Sequence, residues 1–390
     1  MFQRPSQAKA CGYQKRGLRS RSAALEAQTC LPQAGSLPQV LRCRTILKSR
    51  HGRDAPRGRK AAPPTGVFMK GKILVLGSSN VDLILKIPRF HHPGETITGK
   101  NLVTAFGGKG ANQAIAAKRL GGKVSFITKL GDDHYGQSYR WYLIKNGFDR
   151  NSILKHEELP TGIALIELNP EGENRIIVSP GANGSLSEKD LKRFGPLWKG
   201  INVFVTQLEI PLPTVKMGLE IARDHGALTL LNPSPPIRLS PDILSWVDFL
   251  VPNEWEAQFL TGLKMKRKQD IRKIAERLLE MGIKNVVITL GPKGLYFKNR
   301  TEEIWVAAFK VKAVDTTAAG DAFMGAFACG LSEDKPVQEV LRFANAAGAL
   351  TTTKLGAQPS LPLEKEVEVF LSRRYKSNAR SRNEIRMPKK

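Results

Sequence analysis

Residues 201–231 read INVFVTQLEIPLPTVKMGLEIARDHGALTLL and hold one full unit of the fold. An apolar run at 203–207 suits a buried strand. Helix spacing follows over 213–223, and a second apolar run lies at 228–231. The pattern then repeats: strand 249–251, helix 254–261, helix 269–281, strand 286–290. Strand–helix alternation means each strand is reached by a crossover, so the strands run parallel with helices on both faces. Outward toward the N-terminus, KILVL at 72–76 is a short apolar strand closed by Gly77, and 83–87 alternates weakly up to Pro88. Residues 110–120 read as a helix of small residues, packing through Ala111, Ala114, Ile115 and Ala117. A strand at 124–128 and a helix at 135–146 follow. Strands are predicted at 163–168 and 175–178 around the turn residues Asn169 to Gly172. Toward the C-terminus come a hairpin at 295–297 and 304–307 and helices at 322–331, 337–353 and 363–371. The fold class expected is therefore α/β, a sandwich of helices about a mostly parallel sheet. The short strands near 82–87 and 96–106 form a small projecting sheet.

Composition bounds the function. The chain has 390 residues, 41% of them hydrophobic, with no apolar run of the ~18 residues a membrane span needs. Its net charge of +26 suggests a nucleic-acid partner, but the charge is unevenly placed. Residues 1–69 carry 14 Lys and Arg against only Glu26 and Asp54, and residues 373–390 carry eight against Glu384. The segment between them, 70–372, is mildly basic. The tails read as solvated arms, and binding to nucleic acid is not expected. The N-terminal extension has three readings: a mis-assigned start before Met69, an organelle transit peptide, or a functional basic arm. Cys11, Cys30 and Cys43 fit no zinc spacing, and Cys329 in an apolar helix reads as a buried small hydrophobe. A reducing compartment is expected, the cytoplasm or, with a transit peptide, a plastid or mitochondrion.

Three short motifs carry chemistry. Asp315-Thr-Thr-Ala-Ala-Gly-Asp321 precedes an amphipathic helix with Phe323 and Phe327 four apart. A helix N-terminus offers unpaired N–H groups and the positive end of a dipole, and small residues let an anion approach them. Asp321 at its head could take a hydroxyl proton as a phosphoryl group arrives. Taken alone, Asp321 reads equally well as a helix cap. Phe106-Gly-Gly-Lys-Gly-Ala-Asn112-Gln113 places three glycines around one lysine, with an amide suited to sugar hydroxyls, but lacks the Walker A spacing. An ordinary glycine turn remains open there. Gly77-Ser-Ser-Asn80-Val-Asp82 leaves the first strand, and Asn80 and Asp82, two apart on extended chain, share a face. A turn held by its own side chains is an equal alternative. Further polar groups follow strands at Gln207 and Glu209, at Asn253 and Glu256, and at Thr289 to Gly294. Ligands in open α/β sheets bind at such carboxyl ends. Glu256 could hold a hydrated Mg²⁺, or be a solvated helix position.

Together these segments resemble the ribokinase family of carbohydrate kinases, over about residues 71–372. The most specific stretches are GGKGANQA at 107–114 and DTTAAGD at 315–321. Supporting matches are Glu171–Arg175, Gly181–Asn183, Gln207–Glu209, Asn232–Pro235 and Gly356–Ser360. The resemblance implies a mostly parallel sheet between helices with a small β lid that makes a homodimer contact. It implies transfer of the ATP γ-phosphoryl group to the 5-hydroxyl of D-ribose. By that similarity Asn80, Asp82, Gly107, Gly108, Lys109, Asn112, Glu209 and Asp321 bind the sugar, and Asp321 is the base. Ala318, Ala319 and Gly320 form the anion hole. Asn253, Thr289, Leu290, Gly291, Pro292, Lys293, Gly294, Gly320 and Asn345 line the ATP site. Glu256 organises Mg²⁺ through water, and Asp315, Thr317, Thr351, Lys354, Gly356 and Ser360 surround an activating K⁺, several through backbone oxygens. One departure is Ala318-Ala319, where many relatives carry Gly; the backbone donors remain, and the loop is slightly restricted.

Rival readings within the family are kinases of deoxyribose, fructose, a nucleoside or a keto-deoxy sugar acid. The Asn80, Asp82, Lys109 and Asn112 set favours a small neutral polyol over a nucleoside. From another class, the chain could be a catalytically silent sugar- or nucleotide-binding regulator, but Asp321 and its small-residue loop argue for catalysis.

Overall fold

A computed structural model describes residues 70–373. The readings of the N-terminal extension, its three cysteines and the basic C-terminal tail lie outside those residues.

The chain order begins with β1 (Lys72–Leu76), β2 (Asn80–Lys86), β3 (Lys100–Gly107), α1 (Lys109–Arg119), β4 (Lys123–Gly131), α2 (His134–Lys145) and β5 (Ile153–His156). Next come β6 (Gly162–Leu168), β7 (Asn174–Ser179), α3 (Glu188–Lys192), α4 (Gly195–Trp198), β8 (Ile201–Thr206), α5 (Leu212–Asp224) and β9 (Leu228–Leu231). The last part comprises α6 (Pro241–Leu244), β10 (Phe249–Leu250), α7 (Glu254–Thr261), α8 (Lys268–Glu280), β11 (Asn285–Thr289), β12 (Leu295–Lys298), β13 (Glu303–Val306), α9 (Ala319–Ser332) and α10 (Val337–Thr351). A final helix covers 364–373.

Nine strands make one sheet in the order β13-β12-β11-β10-β9-β8-β1-β4-β5. All neighbours from β11 to β5 are parallel, and β11-β12-β13 is an antiparallel meander. The alternation in β1 explains the layers. Ile73 and Val75 face a core shared with α1, α9 and α10, whereas Leu74 and Leu76 face one shared with α5 and α8. None of the four is more than 1% exposed, and each full burial contributes about 1.5–3 kcal/mol. After β1 the sheet grows toward β4 and β5; from β8 it grows the opposite way. The β1/β8 boundary is therefore where strand order reverses, and a crevice opens at its carboxyl edge.

The second sheet has four strands, β3-β2-β6-β7. Its first two strands were expected. That β6 and β7 complete it was not legible, because β2 pairs with β6 in parallel across some 80 residues of sequence. Strand β5 also went unread: four residues, only two of them buried, give no pattern to detect.

Candidate active site

The loop after β1 and the start of α1 meet at the reversal point. Gly108 has φ +87°, and a side chain on it would bring its Cβ within 2.5 Å of the Asn80 amide, so only glycine permits the approach. Glu209, two residues beyond Gln207 at the end of β8, closes the other wall. Its Oε2 accepts from the Ser78 hydroxyl, from the Lys109 amide at 3.0 Å and from Asn80 Nδ2 at 3.4 Å. Asn183 braces the same loop, taking the Ser79 amide on Oδ1 at 2.9 Å and donating to Asn80 Oδ1 at 2.8 Å. Ser78 was absent from the expected site residues, and its only signal was adjacency to Asn80.

Asp321 is buried in the first turn of α9. It does not cap the helix: the cap position is Ala318, and the Asp321 carboxylate instead accepts Asn112 Nδ2 on Oδ2 and Gln113 Nε2 on Oδ1, each at 3.0 Å. The cap reading is thus set aside: tertiary contacts with α1 hold the carboxylate. Helix α9 begins at Ala319 rather than 322, and its first turn places the Gly320 and Asp321 amides at the open N-terminus. Ala319 donates to Thr316 O at 3.3 Å and Ala322 to Ala318 O at 2.8 Å. Ala318 has φ +59°, the left-handed region. The loop restriction expected from Ala is therefore a real strain at that one residue.

Three carboxylates share the crevice. Asp82 is buried, and among the described residues no hydrogen-bond donor is aimed at it; burial, with the nearby charges of Glu209 and Asp321, pushes its pKa up to about 7. Burial works against the charge on Lys109, but Asp321, Glu209 and Glu256 together raise its pKa above the ordinary lysine value. Asn112 Oδ1 is buried and unpartnered, an acceptor that faces no protein donor. A crevice with a spare acceptor, a protonatable carboxyl and a lysine matches a ligand rich in hydroxyl groups.

Farther along the same edge, Asn253 caps α7: its Oδ1 accepts the Glu256 amide and Glu256 Oε2 accepts the Asn253 amide, both at 2.8 Å. Glu256 is thus buried in a reciprocal cap, not a solvated helix position. Burial lifts its pKa above the ordinary range despite the opposing Asn253 bond and Lys109 charge. Thr289 bridges to Asn253 and donates its amide to Pro252 O at 3.0 Å. Residues Leu290 to Gly294 form a tight turn, Leu290 N–H to Gly294 O at 2.8 Å, with Lys293 paired to Glu254 at 2.9 Å. Asn345 on α10 donates to Ala307 O at 2.8 Å, closing the far side.

Behind the α9 loop, Asp315 accepts Thr317 Oγ1 at 2.7 Å, the Thr317 amide at 2.9 Å and the Gly356 amide at 2.8 Å. Burial opposes its charge, but those bonds outweigh it and hold its pKa below the usual carboxylate range. Thr351 and Ser360 are fully buried beside this turn, and the Lys354 side chain turns away to Glu366.

The model of the pfkB family carbohydrate kinases matches residues 70–364. The chain belongs to that family. Among pfkB relatives, a ribokinase of Haemophilus influenzae is 41% identical over 303 residues, covering 78% of this chain and 99% of the relative. A deoxyribokinase of Salmonella typhi is 37% identical, covering 77% and 98%. A solved structure of an Arabidopsis thaliana ribokinase complexed with ribose and ATP superposes with a TM-score of 0.72 at 32% identity, covering 78% and 99%. The pfkB fold accounts for the large sheet, its flanking helices and the four-stranded lid seen here. Of the expected site residues, the structure brings Asn80, Asp82, Gly107–Asn112, Glu209 and Ala318–Asp321 to the crevice at the strand reversal. Asn253, Glu256 and Thr289–Gly294 follow along the same sheet edge, with Asn345 opposite.

Proposed function

We propose that this chain transfers the γ-phosphoryl group of ATP to O5 of D-ribose, giving D-ribose 5-phosphate and ADP. One observation carries the reading: Asp321 is held at the N-terminus of α9 beside exposed backbone donors, facing a crevice of polar groups suited to a sugar. Asp82, Asn80, Lys109, Asn112 and Glu209 bind the sugar hydroxyls. Asp321 accepts the O5 proton as the oxygen attacks the γ-phosphorus. A new O–P bond forms, the bond to the β-phosphate oxygen breaks, and ADP leaves with that electron pair. The loop from Ala318 to Gly320 supplies donors for the charge on the transferring group. Asn253, Thr289 to Gly294 and Asn345 hold the nucleotide.

Glu256, a buried carboxylate in electrostatic reach of Lys109 and Asp321, is of the kind that holds a hydrated Mg²⁺, which supports its reading as the Mg²⁺ residue. Bound there, the ion neutralises phosphate charge. The oxygen-only set of Asp315, Thr317, Thr351, Lys354, Gly356 and Ser360 fits K⁺. The Asp315 carboxylate is already engaged by Thr317 and Gly356, so its contribution is a backbone oxygen. A cation there keeps the neighbouring anion-hole loop in shape. The small sheet supports a homodimer, since Leu102, Val103, Ile176, Ile177 and Val178 stand exposed on it.

The test is ADP release across a sugar panel with ribose and deoxyribose side by side, repeated with Asp321→Asn. Ribose gives the highest kcat/KM, and the variant loses about 10²-fold or more in kcat while still binding ATP. Near-normal turnover by Asp321→Asn removes the base assignment, and preference for deoxyribose changes the substrate.

A further inference from the structure

The Asp321 carboxylate is gripped at two points, and the second grip belongs to a larger structure. Asn112 holds Oδ2, and it lines the sugar crevice. Gln113, the next residue on α1, is wholly buried and holds Oδ1. Successive helix residues point about 100° apart, so both reach one carboxylate only because they take different oxygens. The two N–H bonds of Gln113 Nε2 divide between Asp321 Oδ1 at 3.0 Å and Asn232 Oδ1 at 3.2 Å. Its Oε1 accepts from Gln207 Nε2 at 2.7 Å. Asn232 in turn donates to Val251 O at 3.0 Å. Gln207, Asn232 and Val251 each follow directly on a strand: β8, β9 and β10.

We infer that Gln113 is a positioning residue for phosphoryl transfer, tying the Asp321 carboxylate through a neutral amide network to the carboxyl ends of β8, β9 and β10. This inference rests on the reading of Asp321 as base.

The chemistry explains why amides serve here. Gln113 must present one donor to Asp321, a second to Asn232 and an acceptor to Gln207 at once, which a neutral amide does and a hydroxyl, with its single donor, does not. A cation in its place would pair with Asp321 and weaken it as a base; a carboxylate would repel it. The partner Gln207 fixes which way the Gln113 amide faces, because its Nε2 needs the Gln113 oxygen. The strand ends are tied to one another, Asn232 N–H to Thr206 O at 3.0 Å and Val251 N–H to Leu231 O at 2.9 Å, so the carboxylate inherits their position. A base that must meet a hydroxyl within about 2.6–3.2 Å gains from that rigidity.

Gln113→Met keeps the length and removes both hydrogen-bonding functions. Expected are a fall in kcat of about 10- to 100-fold, with ribose KM and ATP affinity within about threefold of the parent. Asp321→Asn and the double variant complete the set. With Asp321→Asn in place, adding Gln113→Met lowers kcat no further, since a positioning residue acts only through the base. Unchanged kcat in Gln113→Met, with Asp321→Asn still inactive, overturns the positioning role and leaves the base intact. An active Asp321→Asn overturns the base reading instead. Should Gln113→Met fail to fold, Gln207→Met removes the donor that orients Gln113. It must then lower kcat with ribose KM within about threefold of the parent, and an unchanged kcat overturns the inference.

Discussion

Asp82→Asn tests how the sugar crevice handles its three carboxylates. Asp82 has an ordinary pKa of 3.8 and is pushed up to about 7 by burial and by Glu209 and Asp321. The unfolded chain releases the Asp82 proton near pH 4, while the folded chain keeps it to about pH 7. Between those values the folded state binds more protons, so stability falls as pH rises, then levels above pH 7. The full difference is about 4 kcal/mol. Asparagine is nearly the same shape and never ionises, so it escapes that cost. Below pH 4 the two proteins melt alike. By pH 8 the variant is more stable by about 4 kcal/mol, or about 8 °C in Tm for a domain of this size. The assay is thermal melting of both proteins without ligand at half-unit pH steps from 4 to 8. A gap that stays constant across this range, or that closes as pH rises, refutes the reasoning. If Asp82 binds the sugar as proposed, ribose binding weakens in the same variant.

Ala318→Gly relieves a left-handed conformation at φ +59°. It raises stability by about 1 kcal/mol with kcat unchanged, and a lower Tm would show that the strain is absent. Replacing K⁺ by Na⁺ lowers kcat in steady-state assays, and Asp315→Asn, which disturbs the turn with Thr317 and Gly356, abolishes the difference between the cations; equal rates with both in the parent remove the cation site. Light scattering at micromolar concentration reads a dimer that Ile177→Lys on the small sheet converts to monomer, and a monomeric parent removes the lid contact.

Much of this protein follows from local pattern. Strand–helix alternation over 201–290 and unbroken apolar runs such as KILVL specify a parallel sheet with a core on each face, because burial of those side chains has few other solutions. The polar residues after each strand, from Asn80 to Gly294, were legible for the same reason: a strand's end can be read from the sequence that stops it. Boundaries fared less well. Helix α9 starts at Ala319, before its apolar spacing begins, since a first turn needs no buried face. What only the tertiary structure decided is what touches what. Gln113 meets Gln207 94 residues away and Asp321 208 residues away. Glu256 is buried because α7 packs against the sheet, and Asp82 holds its proton because folding buries it and two other chain segments bring carboxylates beside it. Such contacts depend on how distant segments meet, and no local periodicity encodes the distance between two side chains once the chain has folded.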